Sequence, residues 1–234
     1  MSRPETNART QHLVRDKLLE QRFLDLWQRC LLPGVSSDPK AIWDRVAQHY
    51  AEPHRHYHDQ QHLAHCLDQI DLASGHIDDA DQVEMAIWFH DIINVPQAKD
   101  NEQRSAELFR SLADSLFDPA FIAAVVDLIL VTTHREQPGD ADHQFICDID
   151  LASFGCPWEC FIRDSDAVKA EFPGPEEDYF RGQAAFLKAL LARPRIFMTD
   201  FFNARYEQQA RDNIQLLLRD LKKQSAGIRP TPTA

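Results

Sequence analysis

The sequence predicts an all-α fold, and three observations carry that expectation. Apolar residues recur every three or four positions through most of the 234 residues, the spacing of helices with one buried face. The pairs Asp38-Pro39 and Asp118-Pro119 place a capping carboxylate before a proline in a first helical turn, where each is favoured. No series of short runs alternates apolar with polar residues as successive strands would.

In "VRDKLLEQRFLDLWQRCLL", Val14, Leu18, Leu19, Phe23, Leu26, Trp27 and Cys30 fall near one helix face, and Pro33 and Gly34 end it. A second helix, "DPKAIWDRVAQHYAE", is capped by Asp38 and broken at Pro53. The third, "DQQHLAHCLDQIDLAS", stops at Gly75. The fourth, "DADQVEMAIWFHDII", finishes before Pro96. The fifth, "DNEQRSAELFRSLA", opens on an Asp100-to-Gln103 spacing like that of a capping box. The sixth, "DPAFIAAVVDLILVTTHR", is almost wholly apolar and runs into the loop "EQPGDADHQ". "FICDIDLASFG" starts a seventh element, and further helices are expected over 157–172, 176–192 and 199–223, with "ARPRIF" a turn between the last two. Residues 12–223 suit one domain, and the ends 1–11 and 224–234 are expected to lack fixed structure.

Composition narrows the function. A net charge of −12 disfavours a nucleic-acid polymer or an anionic membrane as partner, since both select Lys and Arg. A small phosphorylated substrate in a local basic pocket remains compatible with it. The five cysteines form no zinc-ribbon or disulfide spacing and read as free thiols. The N-terminal "MSRPETNARTQH" has no apolar core, and no run reaches the roughly 18 apolar residues of a membrane span. We therefore expect a soluble cytoplasmic protein of open oligomeric state.

Four apolar helices each deliver histidine or aspartate at one point. Val83, Ala86, Ile87 and His90 share a stripe of the fourth helix, so His90 turns inward with Asp91 behind it. Burying that pair is costly without a partner, and a divalent ion is one that satisfies both groups. His58 and His62 are four apart and would share a face of the third helix. The sixth helix ends in His134, and the seventh carries Asp148 and Asp150 in an apolar setting. Each coincidence has an ordinary explanation, such as a solvated face or a hydrogen-bonded core residue. Together they suggest one inward metal site in a helical bundle.

In order, "PHRHYHDQQH", "WFHDIIN", "DNEQRSAE", "TTH", "DIDLASFG" and "RPRIF" resemble a bacterial group within the HD superfamily of metal-dependent phosphohydrolases. The likeness covers roughly residues 10 to 220 and implies a single HD-type helical bundle with extra N- and C-terminal helices. It implies that His62, His90, Asp91 and Asp150 bind a divalent metal (Mn, Fe, Co, Ni, Mg or Zn), with His134 reaching a second metal. Asp150 aligns better than Asp148 with the final Asp-x-Leu. The stretch from Tyr57 to His62 is also similar to the YHNxxH element of cyclic-nucleotide phosphodiesterases, with Asp59 where that pattern has Asn. There the first histidine gives a proton to the leaving oxygen, which would be His58 here. Arg55 is a candidate phosphate clamp one turn earlier. Glu102 is a candidate acid/base whose "DNE" setting is equally that of a helix start. The implied activity is hydrolysis of a phosphate ester, nucleotides included. The alternatives are a di-iron HD-fold oxygenase and a non-catalytic, metal-stabilised ligand-binding module.

Overall fold

The chain is all-α, as its sequence predicts. A computed structural model describes residues 4–135 and 138–227. Among them lie α1 (Pro4–Arg29), α2 (Pro39–Tyr50), α3 (Gln60–Ala73), α4 (Ala80–Phe89), α5 (Asn101–Ala113), α6 (Pro119–Val131), α7 (Ala141–Leu151), a 3-10 turn at Ala152–Gly155, α8 (Trp158–Ala170), α9 (Glu176–Ala192) and α10 (Asp200–Gly227). Parts of both ends expected to lack structure are thus helical; residues 1–3 and 228–234 lie outside the described residues. No helix among the described residues is long and apolar enough to cross a membrane.

Helix α4 is the axis of the bundle. Every residue from Val83 to Phe89 is buried, and α1, α3, α5, α6 and α7 all pack on it. Around it Phe23, Trp27, Trp43, Trp88, Phe89, Phe109 and Phe117 form a continuous aromatic cluster. Glu84, also buried, is matched by Arg22, which bridges it to Asp71. The C-terminal helices form a second layer: α10 packs along the 3-10 turn, α8 and α9.

Several local expectations change. Leu19, Phe23, Leu26 and Trp27 are buried in α1, but Val14 and Leu18 are exposed. Asp100 makes no side-chain cap bond on α5. Part of the expected loop is helix, because Asp140 caps α7 by accepting from the Asp142 and His143 N–H groups. Helix α4 ends at Phe89 rather than running on toward Pro96. Tertiary partners take over there: Arg55 donates to the Asp91 and Ile92 carbonyls, and the Ile93 N–H donates to Ser105 Oγ.

Candidate metal centre

Asp59 sets the start of α3 by accepting from the Gln61 and His62 N–H groups at 2.6 and 3.3 Å. The Asp that departs from the phosphodiesterase-like pattern is therefore a helix cap. It leaves His62 in the first turn, its ring against that of Tyr57 at 4.8 Å between centroids. His90 is 1% exposed and follows the last residue of α4. Its Nδ1 donates to the Ile87 carbonyl at 2.8 Å, so Nε2 is the nitrogen that faces the site.

Four side chains converge. Nε2 of His62 and His90 lie 3.4 Å apart. Asp91 Oδ2 is 3.1 Å from His90 Nε2 and 3.6 Å from His62 Nε2. Asp150 Oδ1 is 3.3 and 3.5 Å from the same two nitrogens. Ligand atoms about 2.1 Å from one ion stand about 3.0–3.4 Å from one another, so the observed separations match a shared metal closely. Two imidazoles and two carboxylates also suit the divalent transition metals chemically. Burial works against charge on His90, Asp91 and Asp150, yet the pairing prevails. Asp91 and Asp150 hold His90 well above the ordinary histidine range. Both carboxyls are in turn held below theirs, Asp91 by His90 and His58, Asp150 by His134, His62 and His90.

His134 lies beyond the end of α6, in the left-handed region at φ 54°. For a residue with a Cβ this costs on the order of 1 kcal/mol. It is held by two bonds: its carbonyl accepts from Arg193 Nη2 at 2.7 Å, and its Nε2 lies 2.7 Å from Asp150 Oδ2. Asp150 therefore turns one oxygen to His62 and His90 and the other to His134, as a ligand bridging two metals would. Asp148 faces away. It accepts from the Met198 and Thr199 N–H groups and the Thr199 hydroxyl at 2.7–2.8 Å, which anchors the start of α10. Burial outweighs those bonds and pushes its carboxyl up to about 6.

The other predicted residues divide. His58 precedes α3 instead of sharing a face with His62 on it, but its ring still lies 5.8 Å from the His62 ring. Burial lowers its pKa, and Asp91 with Glu171 outweighs burial, so His58 sits above the usual value. Glu102 lies in the first turn of α5 and lines the same cavity as His134. Arg55 is not a phosphate clamp. Its side chain is fully buried and donates to Glu52, His58 O, Asp91 O and Ile92 O, leaving no face for a substrate.

Two residues were missed in the sequence. Cys66 joins His62, His90 and Asp150 in a set whose ligand atoms all lie within 4.8 Å of one another. Its signal was spacing, four residues after His62. Glu171 gave no signal. It lies past the end of α8, accepts from the backbone N–H of His56, Tyr57 and His58 at 2.7–2.9 Å, and holds His58 Nδ1 at 2.5 Å.

The centre opens into a cavity of about 300 Å³, lined by His58, Asp91, Glu102, His134 and Asp150 on one side and Leu151, Phe154, Phe161, Val168 and Phe186 on the other. No lysine or arginine is among its lining residues. No protein-family model, curated protein or solved structure matches the chain.

Proposed function

We propose that this protein is a metal-dependent hydrolase of small phosphate esters. The observation that carries the reading is the convergence of His62, His90, Asp91 and Asp150 at the base of a cavity that His58 also lines. A divalent ion held by these four supplies a water acidified from 15.7 to about 7 and neutralises charge on phosphoryl oxygens.

The chain's own residues supply the rest. His58, whose pKa burial lowers and Asp91 and Glu171 raise above the usual value, presents a proton to the leaving oxygen. Glu171 orients its ring through Nδ1 and fixes the backbone that carries it. Tyr57 and Ser153 close one wall, the phenol and the Ser153 hydroxyl 2.8 Å apart. The apolar wall receives the organic part of the substrate. A cavity of about 300 Å³ is at the small end for ligand sites. Without a cation on its wall it favours a monoester over a triphosphate.

The missing cation also favours a second reading. With His134 on the second oxygen of Asp150, the same residues suit two irons and oxidation of a small apolar substrate. Metal analysis and a substrate panel separate the two. Wild type and Asp91→Ala, purified without chelator or tag metal, are assayed for metal and for phosphate release from phosphomonoesters, cyclic nucleotides and nucleoside triphosphates. We expect metal at this centre and monoester hydrolysis in wild type; Asp91→Ala should lose the hydrolysis and one metal ion per chain. Two irons with oxygen uptake and no phosphate would replace the hydrolase by the oxygenase. No metal in either protein, even after adding Mn or Ni, would leave a ligand-binding module.

A further inference from the structure

A second cluster lies on the far side of Tyr57 and Ser153. The sequence around it, "CPWEC", matches no zinc ribbon. In the fold, Cys156 ends the 3-10 turn, Cys160 lies in the first turn of α8, and Asp164 follows one turn later. The four-residue spacing puts Cys160 and Asp164 on one face of α8, and the extended residue Cys156 joins them from just before the helix. Their ligand atoms lie within 4.8 Å of one another, and Cys160 Sγ is already 3.7 Å from Asp164 Oδ2. All three line one pocket with His65 of α3.

His65 is the second, independent observation. Its Nε2 is buried and has no hydrogen-bond partner, which costs about 1–3 kcal/mol if nothing satisfies it. Burial and the neighbouring His62 lower its pKa, which disfavours the protonated ring. The thiols are also poorly matched as they stand. Cys156 Sγ makes a 3.5 Å contact to the Pro157 carbonyl. Cys160 Sγ is approached by Arg163 Nη2 at 3.1 Å; the Arg163 side chain is 72% exposed and also pairs with Asp164 Oδ1 at 3.1 Å, a surface pair that metal binding would have to displace.

From these contacts we propose that Cys156, Cys160, Asp164 and His65 form a second metal site, one that takes zinc or another thiophilic divalent ion. Two sulfurs, one imidazole and one carboxylate are a four-ligand set for tetrahedral zinc. Sulfurs bound at 2.3 Å to one ion stand about 3.8 Å apart, so closure draws Cys156, Cys160 and Asp164 in by at most about 1 Å from separations within 4.8 Å, and the His65 ring moves in from the wall of the shared pocket to complete the set. Binding breaks two S–H bonds and releases two protons to solvent while two metal–sulfur bonds form. Because Tyr57, Ser153 and Asp164 line both this pocket and the catalytic cavity, the ion would stiffen the wall between them.

Cobalt binding to the full chain, kept reduced, tests the site, because sulfur ligation produces a charge-transfer absorption that a His/Asp centre lacks. Cys66 also lies near a metal centre, so its own variant is part of the design. We expect the band in wild type, in Asp150→Ala and in Cys66→Ser, and its loss in Cys156→Ser and Cys160→Ser. Zinc content should fall by one ion per chain in Cys160→Ser, with helical circular dichroism unchanged. His65→Gln should weaken zinc at least tenfold. A missing band in wild type, a band lost only with Cys66, a Cys156–Cys160 disulfide under reductant, or full zinc affinity in His65→Gln would each overturn the assignment.

Discussion

Glu171→Gln tests how the catalytic histidine is held. In the native chain one carboxylate oxygen accepts from three backbone N–H groups and the other holds His58 Nδ1. Glutamine keeps a carbonyl oxygen for the backbone, but its amide meets His58 with a donor and removes the charge. The size follows from the native pair. Burial raises the Glu171 carboxyl, and His58 and the Tyr57 and His58 amides outweigh it, bringing it from 4.5 to about 2. That interval is worth about 3 kcal/mol, reduced by solvent screening at this half-exposed rim to about 2. Between those pH values the unfolded chain binds more protons than the native one, so this contribution is complete above 4.5 and lost as pH falls through about 2. For His58, whose pKa is raised from 6.5, the contribution is complete below 6.5 and lost as pH rises through the folded value. The stability gap between wild type and Glu171→Gln should therefore be largest between 4.5 and 6.5 and shrink on both sides. Urea unfolding with chelator present, at pH 3, 5.5 and 9, measures it. A gap that is flat with pH, or below about 0.5 kcal/mol at pH 5.5, would refute this account of the pair. Phosphate release by the metal-loaded variant should fall about 10- to 100-fold, part of the range for general acid catalysis.

Arg55→Lys should destabilise the fold by about 2–4 kcal/mol, since an ammonium cannot replace a fork reaching three carbonyls; KM for a cleaved ester should stay within about twofold, and a large rise with unchanged stability would restore the phosphate clamp. Gly155→Ala puts a Cβ 2.4 Å from Tyr206 Cβ, so overpacking should cost about 2 kcal/mol and lower Tm by about 4–8 °C in thermal unfolding. Stripping metal from the first centre of a Cys160→Ser chain held at a hundred times its Kd should cost about 2.7 kcal/mol, and the same chelator should leave the Tm of the Asp91→Ala, Cys160→Ser double variant unchanged.

Much of the architecture was legible because it rests on local rules. Apolar period and capping chemistry placed α2, α3 and α6 almost to the residue, with Asp38, Asp59 and Asp118 each accepting from the first-turn amides. The buried stripe of α4 delivered His90 inward for the same reason. His62, Asp91, His134 and Asp150 could be named because each interrupts an apolar segment or follows one. What tertiary contact alone decided is of another kind. Asp148 and Asp150 are equivalent in sequence, and only the docking of α10 gives Asp148 its amide partners and leaves Asp150 to the histidines. Arg55 is a surface arginine or a clamp until the turn after α4 closes over it with the Asp91 and Ile92 carbonyls, beside that of His58. Glu171 and the Cys156–Cys160–His65 grouping have no local signature, because their partners lie on other helices. The periodicity of one chain says which face of a helix is buried; which residue meets it there depends on how the helices pack.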